Sequence, residues 1–324
     1  MSIFSHKNIE ETYKQISSKI LRTPLVMSEY INNITKAKVY FKLENLQSTG
    51  SFKLRGAINK ISLLNSDDKK KGVVAYSSGN HAQAVAYASR INKINAKIIM
   101  PQTAPLIKIN NTKMFGANVI LYDPSKESRE LMGLKIAKDE GRILIKPYDD
   151  YDIIAGQGTA GLEIAEDLFK KNIKPDIYLC CCGGGGLIAG SATYLKHFFP
   201  NIKCYSVEPN NFNDTQLSLE KNKIVSVPNN AKSICDALLA TQPGEITFSI
   251  NRKILEGGLS VSDDEVKKTI IFLSENLKII AEPGGAVAAA ALLNNKLEVS
   301  NKTIVVMISG GNIDNNFFAN IVKS

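Results

Sequence analysis

Past residue 70 the chain alternates short β-branched apolar runs with longer amphipathic stretches. The short runs are GVVAYS (72–77), AKIIMP (96–101), ANVILYD (117–123) and RILIKPY (142–148), and their composition and period predict strands with helices between them. The alternation resumes with DIYLCCC (176–182), a helix from about Leu187, IKCYSVEP (202–209) and KTIVVMISG (302–310). Ser262, Asp263, Asp264 and Glu265 form a capping box ahead of the stripe Val266, Ile270, Leu273, Leu277, which predicts one further helix. Strand–helix–strand repetition makes the fold class α/β with mainly parallel sheets. No repeat or low-complexity linker interrupts it, so two α/β domains sharing a cleft are expected. In open parallel sheets ligands gather at the carboxyl ends of the strands, which directs attention to the loops after residues 77, 182 and 309.

Composition narrows the function classes. With 324 residues, 44% of them apolar, the chain can bury a large core. No stretch is long and apolar enough to span a bilayer, and MSIFSHKNIEETYKQ lacks the apolar run of a secretion signal, so a cytoplasmic protein without a membrane partner is expected. Forty basic residues against 31 acidic ones give a net charge of +9. The lysines are scattered, and their short run Lys69–Lys71 reads as a helix end; without a basic stripe interleaved with aromatics, no nucleic-acid partner is expected. Such a field still attracts small anions. Three of the five cysteines, Cys180, Cys181 and Cys182, are consecutive; on a strand they point to alternating faces and read as small core residues, not as a metal site.

The three loops carry unusual residues. After Cys182 come Gly183, Gly184, Gly185 and Gly186, running into the helix LIAGSATYLKHFF. Four residues without Cβ let backbone N–H groups approach an oxyanion, and the helix dipole favours a phosphate there. No Gly-Lys-Ser/Thr follows, which excludes a Walker loop. A dinucleotide-dependent oxidoreductase stays open, because strand, glycine turn, helix, strand and then Glu208 resemble the Rossmann order, although Gly184, Gly186 and Gly190 give GxGxxxG and not GxGxxG. After Ser77 the chain reads SSGNHAQA, and after the last strand SGGN (309–312); each reads equally as a cap or turn. Upstream, STGSFKLRG sets Lys53 between Phe52 and Leu54, an unusual setting for a surface lysine.

Taken together and in order, SFKLRGA, SSGNHAQA, PYDDYDIIAGQGT (147–159), the tetraglycine, EPGGA (282–286) and SGGN span nearly the whole chain. They resemble the fold type II pyridoxal-phosphate enzymes, related to the tryptophan synthase β fold, in the branch of threonine and serine dehydratases and serine racemases. The resemblance implies a larger cofactor-binding domain (1–68 and 149–324) and a smaller one (69–148). It implies that Lys53 forms the internal Schiff base with pyridoxal 5'-phosphate; apolar flanks and a helix starting near Ser51 both discourage its ammonium form. By the same resemblance Gly183 to Gly186 and the Leu187 amide hold the phosphate, Asn80 meets the ring hydroxyl, Phe52 packs near the ring and Ser309 faces the pyridine nitrogen. Ser77, Ser78, Asn80, His81 and Arg129 are implied substrate contacts. A neutral hydroxyl at the ring nitrogen favours elimination over transamination. The implied activity is a threonine/serine ammonia-lyase: Lys53 removes the Cα proton, the β-hydroxyl leaves, and 2-oxobutanoate or pyruvate forms with ammonia.

Within the branch, Ser78 stands where racemases place a proton-exchanging serine opposite the lysine, so serine racemase and L-threo-3-hydroxyaspartate ammonia-lyase are the alternatives. Glu208, Phe212 through its carbonyl, and Asp214 are similar to the divalent-metal site of metal-activated members, suited to Mg²⁺ or Ca²⁺. The plainer reading makes them surface carboxylates. Ala237 and Ala240 depart from the racemase pattern and favour a dehydratase. Ending at Ser324, the chain leaves no room for the regulatory domain of biosynthetic threonine dehydratases. A homodimer is what the resemblance implies for assembly, and small hydroxy amino acids are the implied substrates.

Overall fold

The computed structural model describes residues 4–228 and 230–323; Met1–Ile3 of the N-terminal segment and the final Ser324 lie outside the described residues. The strands are β1 (Leu25–Met27), β2 (Lys38–Leu43), β3 (Val73–Tyr76), β4 (Ala96–Pro101), β5 (Asn118–Tyr122), β6 (Ile143–Leu144), β7 (Ile177–Cys181), β8 (Lys203–Pro209), β9 (Gly257–Val261) and β10 (Thr303–Ile308). They form a six-stranded sheet in the order β1-β2-β10-β7-β8-β9 and a four-stranded sheet in the order β5-β4-β3-β6. All pairs are parallel except β1–β2.

Parallel strands covered on both faces are apolar throughout, and the central strands follow that rule: every residue of β7 is buried, as are the last five of β10. Two expectations need adjustment. The run RILIKPY yields only Ile143–Leu144 as strand, paired with Val73 and Val74, because the segment leaves the sheet towards Pro147, which cannot donate to a ladder. The expected series also omits β1, β2 and β9. KVYFKL (38–43) has its apolar run interrupted by Lys42 yet has five buried positions, and GGLSV (257–261) carries the glycines that ordinarily mark a turn. The capping box at Ser262 is formed, with Glu265 N donating to Ser262 Oγ and Ser262 N to Glu265 Oε2. All five cysteines are buried and free.

The helix Lys53–Ser62 joins the two sheets. Its Leu54, Ala57, Ile58 and Ile61 pack with Val73, Ala75, Val85 and Ile98 in the core of the four-stranded body. Its N-terminal end is bonded to the other body: Ser51 bridges Gly310, and Phe52 N donates to Ser309 O at 3.1 Å. A second anchor is the crossing with helix Tyr151–Lys170. A Cβ at Gly156 would stand 2.6 Å from both Arg55 O and Gly56 Cα, so only glycine lets the backbones approach this closely. Lys53, the first residue of its helix, therefore sits on the seam between the bodies. The expected helix start near Ser51 falls two residues later.

Candidate active site

Lys53 is half-buried, and among the described residues its amine has one hydrogen-bond partner, the Pro147 carbonyl at 2.7 Å. Nζ lies 5.2 Å from the centre of the buried Phe52 ring. Burial with no carboxylate to offset it pulls the amine down to about 8, so the neutral, nucleophilic form is far more populated near neutrality than in an ordinary lysine. The next residue, Tyr148, connects this lysine to the glycine loop, since any Cβ on Gly184 would overlap its ring.

The tetraglycine follows β7 and opens helix Gly186–Phe198. Gly185 has φ +90°, and a Cβ there would stand 2.8 Å from Asn251 Nδ2 and 3.1 Å from Thr247 Cβ; both conformation and space require glycine. The loop's carbonyls are turned outward and held: Thr247 Oγ1 donates to Gly184 O at 2.6 Å, and Asn251 Nδ2 to Gly185 O at 3.4 Å. Thr247 is itself placed by Asp149, which accepts from Ile246 N and Thr247 N at the start of helix Glu245–Ile254. The first N–H groups of helix Gly186–Phe198, those of Gly186 and Leu187, have no intrahelical acceptor. A cradle that side chains would fill, at a helix N-terminus, with a lysine of lowered pKa linked to it through Tyr148, fits pyridoxal phosphate.

At the end of β10, Ser309 is buried, and the Cys181 thiol beside it is pulled down, first by Cys180 and then by the Ser309 hydroxyl. Asn80 opens helix Asn80–Ile91; its Nδ2 donates to Glu282 Oε1, and its Oδ1 accepts from Asn312 Nδ2 at 2.9 Å. Ser77 Oγ accepts from Gly79 N at 3.1 Å. Ser78 is half-buried. His81 behaves differently: its buried imidazole turns to Ile145 O at 2.9 Å, and burial together with Lys53 holds it down at about 3, so the side chain is a neutral structural strut. Arg129 begins helix Arg129–Glu140, with its guanidinium 5.9 Å from the Tyr76 ring and Nε 2.7 Å from Glu130 Oε1. It neighbours Tyr148, whose hydroxyl burial pushes up to about 12; among the described residues the arginine makes no hydrogen bond with Lys53.

Glu208, Phe212 and Asp214 are buried, contrary to the surface reading. Glu208 accepts from Thr215 N at 2.9 Å and Gln216 N at 2.8 Å. Both Asp214 side-chain oxygens are buried without a hydrogen-bond partner. Burial raises both carboxyls, that of Asp214 to about 7, and Asp214 raises Glu208 further. Thr215 Oγ1 lies 3.3 Å from Cys182 Sγ, the residue before the glycine loop, so this pair adjoins that loop.

Glu282 and Asn312 lie inside EPGGA and SGGN, and Asp236 immediately precedes Ala237, so a sequence signal existed for those three although none was singled out. Lys108 had none, although its Nζ reaches Asp236 at 2.7 Å and Glu282 at 3.0 Å.

Comparison with known proteins agrees with this geometry. The chain is 41% identical to a serine racemase of Schizosaccharomyces pombe over 98% of this chain and 97% of that one. It is 40% identical to an L-threonine ammonia-lyase of Thermotoga maritima over 98% of this chain and 78% of that one. The structure of maize serine racemase superposes with a TM-score of 0.91 at 34% identity, covering 97% of this chain and 95% of that one. Residues 16–310 match the profile of the family described as pyridoxal-phosphate dependent enzyme, and with the lysine, the glycine cradle and the two parallel sheets in place, the chain belongs to that family, with fold type II architecture.

Proposed function

We propose that this protein is an ammonia-lyase acting on L-threonine and L-serine, releasing ammonia with 2-oxobutanoate or pyruvate. The observation that carries the reading is the state of Lys53: an amine on the seam of two bodies, held at about 8 by burial, with a carbonyl and no carboxylate as its partner. When bound, pyridoxal phosphate supplies an aldehyde for an amine and a ring that accepts electron density from the substrate's α-carbon.

The chain's own residues do the rest. Gly183 to Gly186 and the Leu187 amide bind the phosphate through N–H groups reinforced by the helix dipole. Phe52 supports the ring, Asn80 meets its hydroxyl, and Ser309 offers the ring nitrogen a neutral hydroxyl, which does not hold a proton there. Lys53 Nζ takes the proton from the α-carbon. The Ser77–His81 turn, at the N-terminal end of helix Asn80–Ile91, receives the substrate carboxylate through backbone N–H groups and the Ser77 and Ser78 hydroxyls. Arg129 orients the carboxylate from the rim.

Glu208, Asp214 and the Phe212 carbonyl would hold Mg²⁺ or Ca²⁺; the unpartnered Asp214 oxygens support this, since a hard cation satisfies oxygen acceptors that no donor reaches. A homodimer belongs to the same reading, supported by a mostly apolar groove lined by Ile279, Ile280, Phe318 and Val322 together with Ser274 and Lys278, of which Ile280 and Val322 are exposed apolar residues. Free cysteines support a reducing cytoplasm, and no helix among the described residues is long and apolar enough to cross a membrane.

Ser78 favours one second reading, serine racemisation. Its half-buried hydroxyl makes no hydrogen bond among the described residues, so it is free to exchange a proton on the face opposite Lys53. Incubating the loaded protein with L-threonine, L-serine and L-threo-3-hydroxyaspartate, and assaying ammonia, oxo acid and D-enantiomer, ranks the readings. L-Threonine should give oxo acid fastest; D-serine forming faster than pyruvate overturns the lyase assignment.

A further inference from the structure

Lys108 is carried by helix Leu106–Met114 of the four-stranded body, yet its ammonium ends among carboxylates of the other body. It is only 1% exposed, with Nζ 2.7 Å from Asp236 Oδ2 and 3.0 Å from Glu282 Oε2. Its stem lies along the SSGN turn so closely that any Cβ on Gly79 would overlap it. Burying a long charged side chain costs desolvation and rotamer entropy, which its two carboxylate partners must offset.

Glu282 is equally committed. It stands at the N-cap of helix Pro283–Leu293, but its side chain makes no capping bond. Instead Oε2 takes Lys108, while Oε1 accepts from Asn80 Nδ2 and lies against Gly310, where a Cβ would overlap it. The other end of the Asn80 amide accepts from Asn312 Nδ2, which also donates to Thr49 O at 2.9 Å. Both orientations of the Asn80 amide are thus decided by its partners, and one N–H remains for a ligand. Lys108, Asp236 and the thiols of Cys181 and Cys235 are the titratable groups around Glu282. Burial pushes Glu282 up and Lys108 opposes that rise.

We propose that Glu282, fixed by Lys108 and Asp236, is a positioning residue that orients the Asn80 amide towards the hydroxyl-bearing edge of the cofactor ring and docks the two bodies together at that edge. The proposal rests on the reading of Asn80 given above. Without Lys108, Glu282 and Asp236 would be carboxylates buried without a cation; Glu282 would take a proton, and its hydrogen bond from Asn80 would lose the charge assistance and the fixed geometry that Lys108 gives it.

The test uses pyridoxal phosphate as the probe, with the variants Glu282→Ala, Glu282→Gln, Lys108→Met and Lys108→Arg. Three quantities are read: the cofactor dissociation constant by fluorescence titration, the position of the visible absorption band, and the melting temperature. Glu282→Ala and Lys108→Met should each weaken cofactor binding roughly tenfold and displace the visible band, as expected for loss of a charge-assisted hydrogen bond. Glu282→Gln, which keeps an acceptor oxygen and the side-chain volume, should lose less, and Lys108→Arg should recover most of the Lys108→Met loss. A lower melting temperature with unchanged dissociation constant and band in all four variants would make the network a mere clamp and overturn the proposal. Should Glu282→Ala or Lys108→Met fail to fold, unchanged cofactor readouts in Glu282→Gln would overturn it equally. Failure of the unaltered protein to take up pyridoxal phosphate is a different result, which sinks the reading of the cleft itself.

Discussion

Lys53 and Arg55 are two cations two residues apart on one helix, and they live in opposite circumstances. Behind the helix, Arg55 is fully buried and donates to Glu44, Glu163 and Thr159. Lys42 donates to Glu163 at 2.6 Å and to Thr23 O at 2.7 Å. Two cations meet two carboxylates there, and every carboxylate oxygen has a donor; burial pulls the Arg55 guanidinium down, but Glu44 and Glu163 raise it overall. In front of the helix, charges are unmatched: Lys53 has no carboxylate, and the buried Asp214 has no donor. The matched cluster fixes where the helix sits, while the unmatched groups are left with chemistry to complete. A buried charge whose partners are all present is scaffold; one whose partners are missing marks a place for a ligand.

This contrast can be broken in four ways, taken from the largest effect down. Lys53→Ala should remove the imine absorption band of the loaded protein and reduce oxo-acid release by at least about a thousandfold, with no loss of melting temperature in the cofactor-free protein. Turnover within tenfold of the unaltered protein would make the lysine an ordinary seam residue. Arg55→Ala should do the reverse and cost about 3–5 kcal/mol of stability in urea titrations, because it leaves two carboxylates buried with one cation.

For the acidic pair, Mg²⁺ or Ca²⁺ at a hundred times its dissociation constant should stabilise the protein by about 2.7 kcal/mol, and a chelator should reverse this. Asp214→Asn should lose that response. The effect on pH comes last, because partial exposure of Lys53 screens it. In cofactor-free protein Lys53 titrates at about 8 against 10.5 in the unfolded chain. Between those values the unfolded state binds more protons, so stability should rise as pH rises through that window; below about 8 the full destabilisation by the buried amine is present. Lys53→Met should flatten the slope, and an equal slope in the variant would assign it to other groups.

Much of the candidate site was readable in the chain because its residues fall in short contiguous signals. Four glycines before a helix, a lysine between apolar neighbours and small polar residues after a strand each place their atoms locally, whatever the rest of the fold does. Strands with continuous apolar runs, such as DIYLCCC and KTIVVMISG, were legible for the same reason. Strand KVYFKL was not, because the Lys42 that breaks its apolar pattern is buried by a partner, Glu163, that lies far along the chain.

Sequence alone determined the alternation of strands and helices, the family resemblance and the local shape of each loop, since those depend on backbone sterics and neighbouring side chains. Only the tertiary structure decided that His81 faces a backbone carbonyl, that Glu208 and Asp214 are buried together, and that Lys108 crosses from one body to bind Asp236 and Glu282 in the other. These outcomes depend on which charges meet after the chain has folded back on itself. The free energy of a buried charge is set by neighbours that no local pattern specifies.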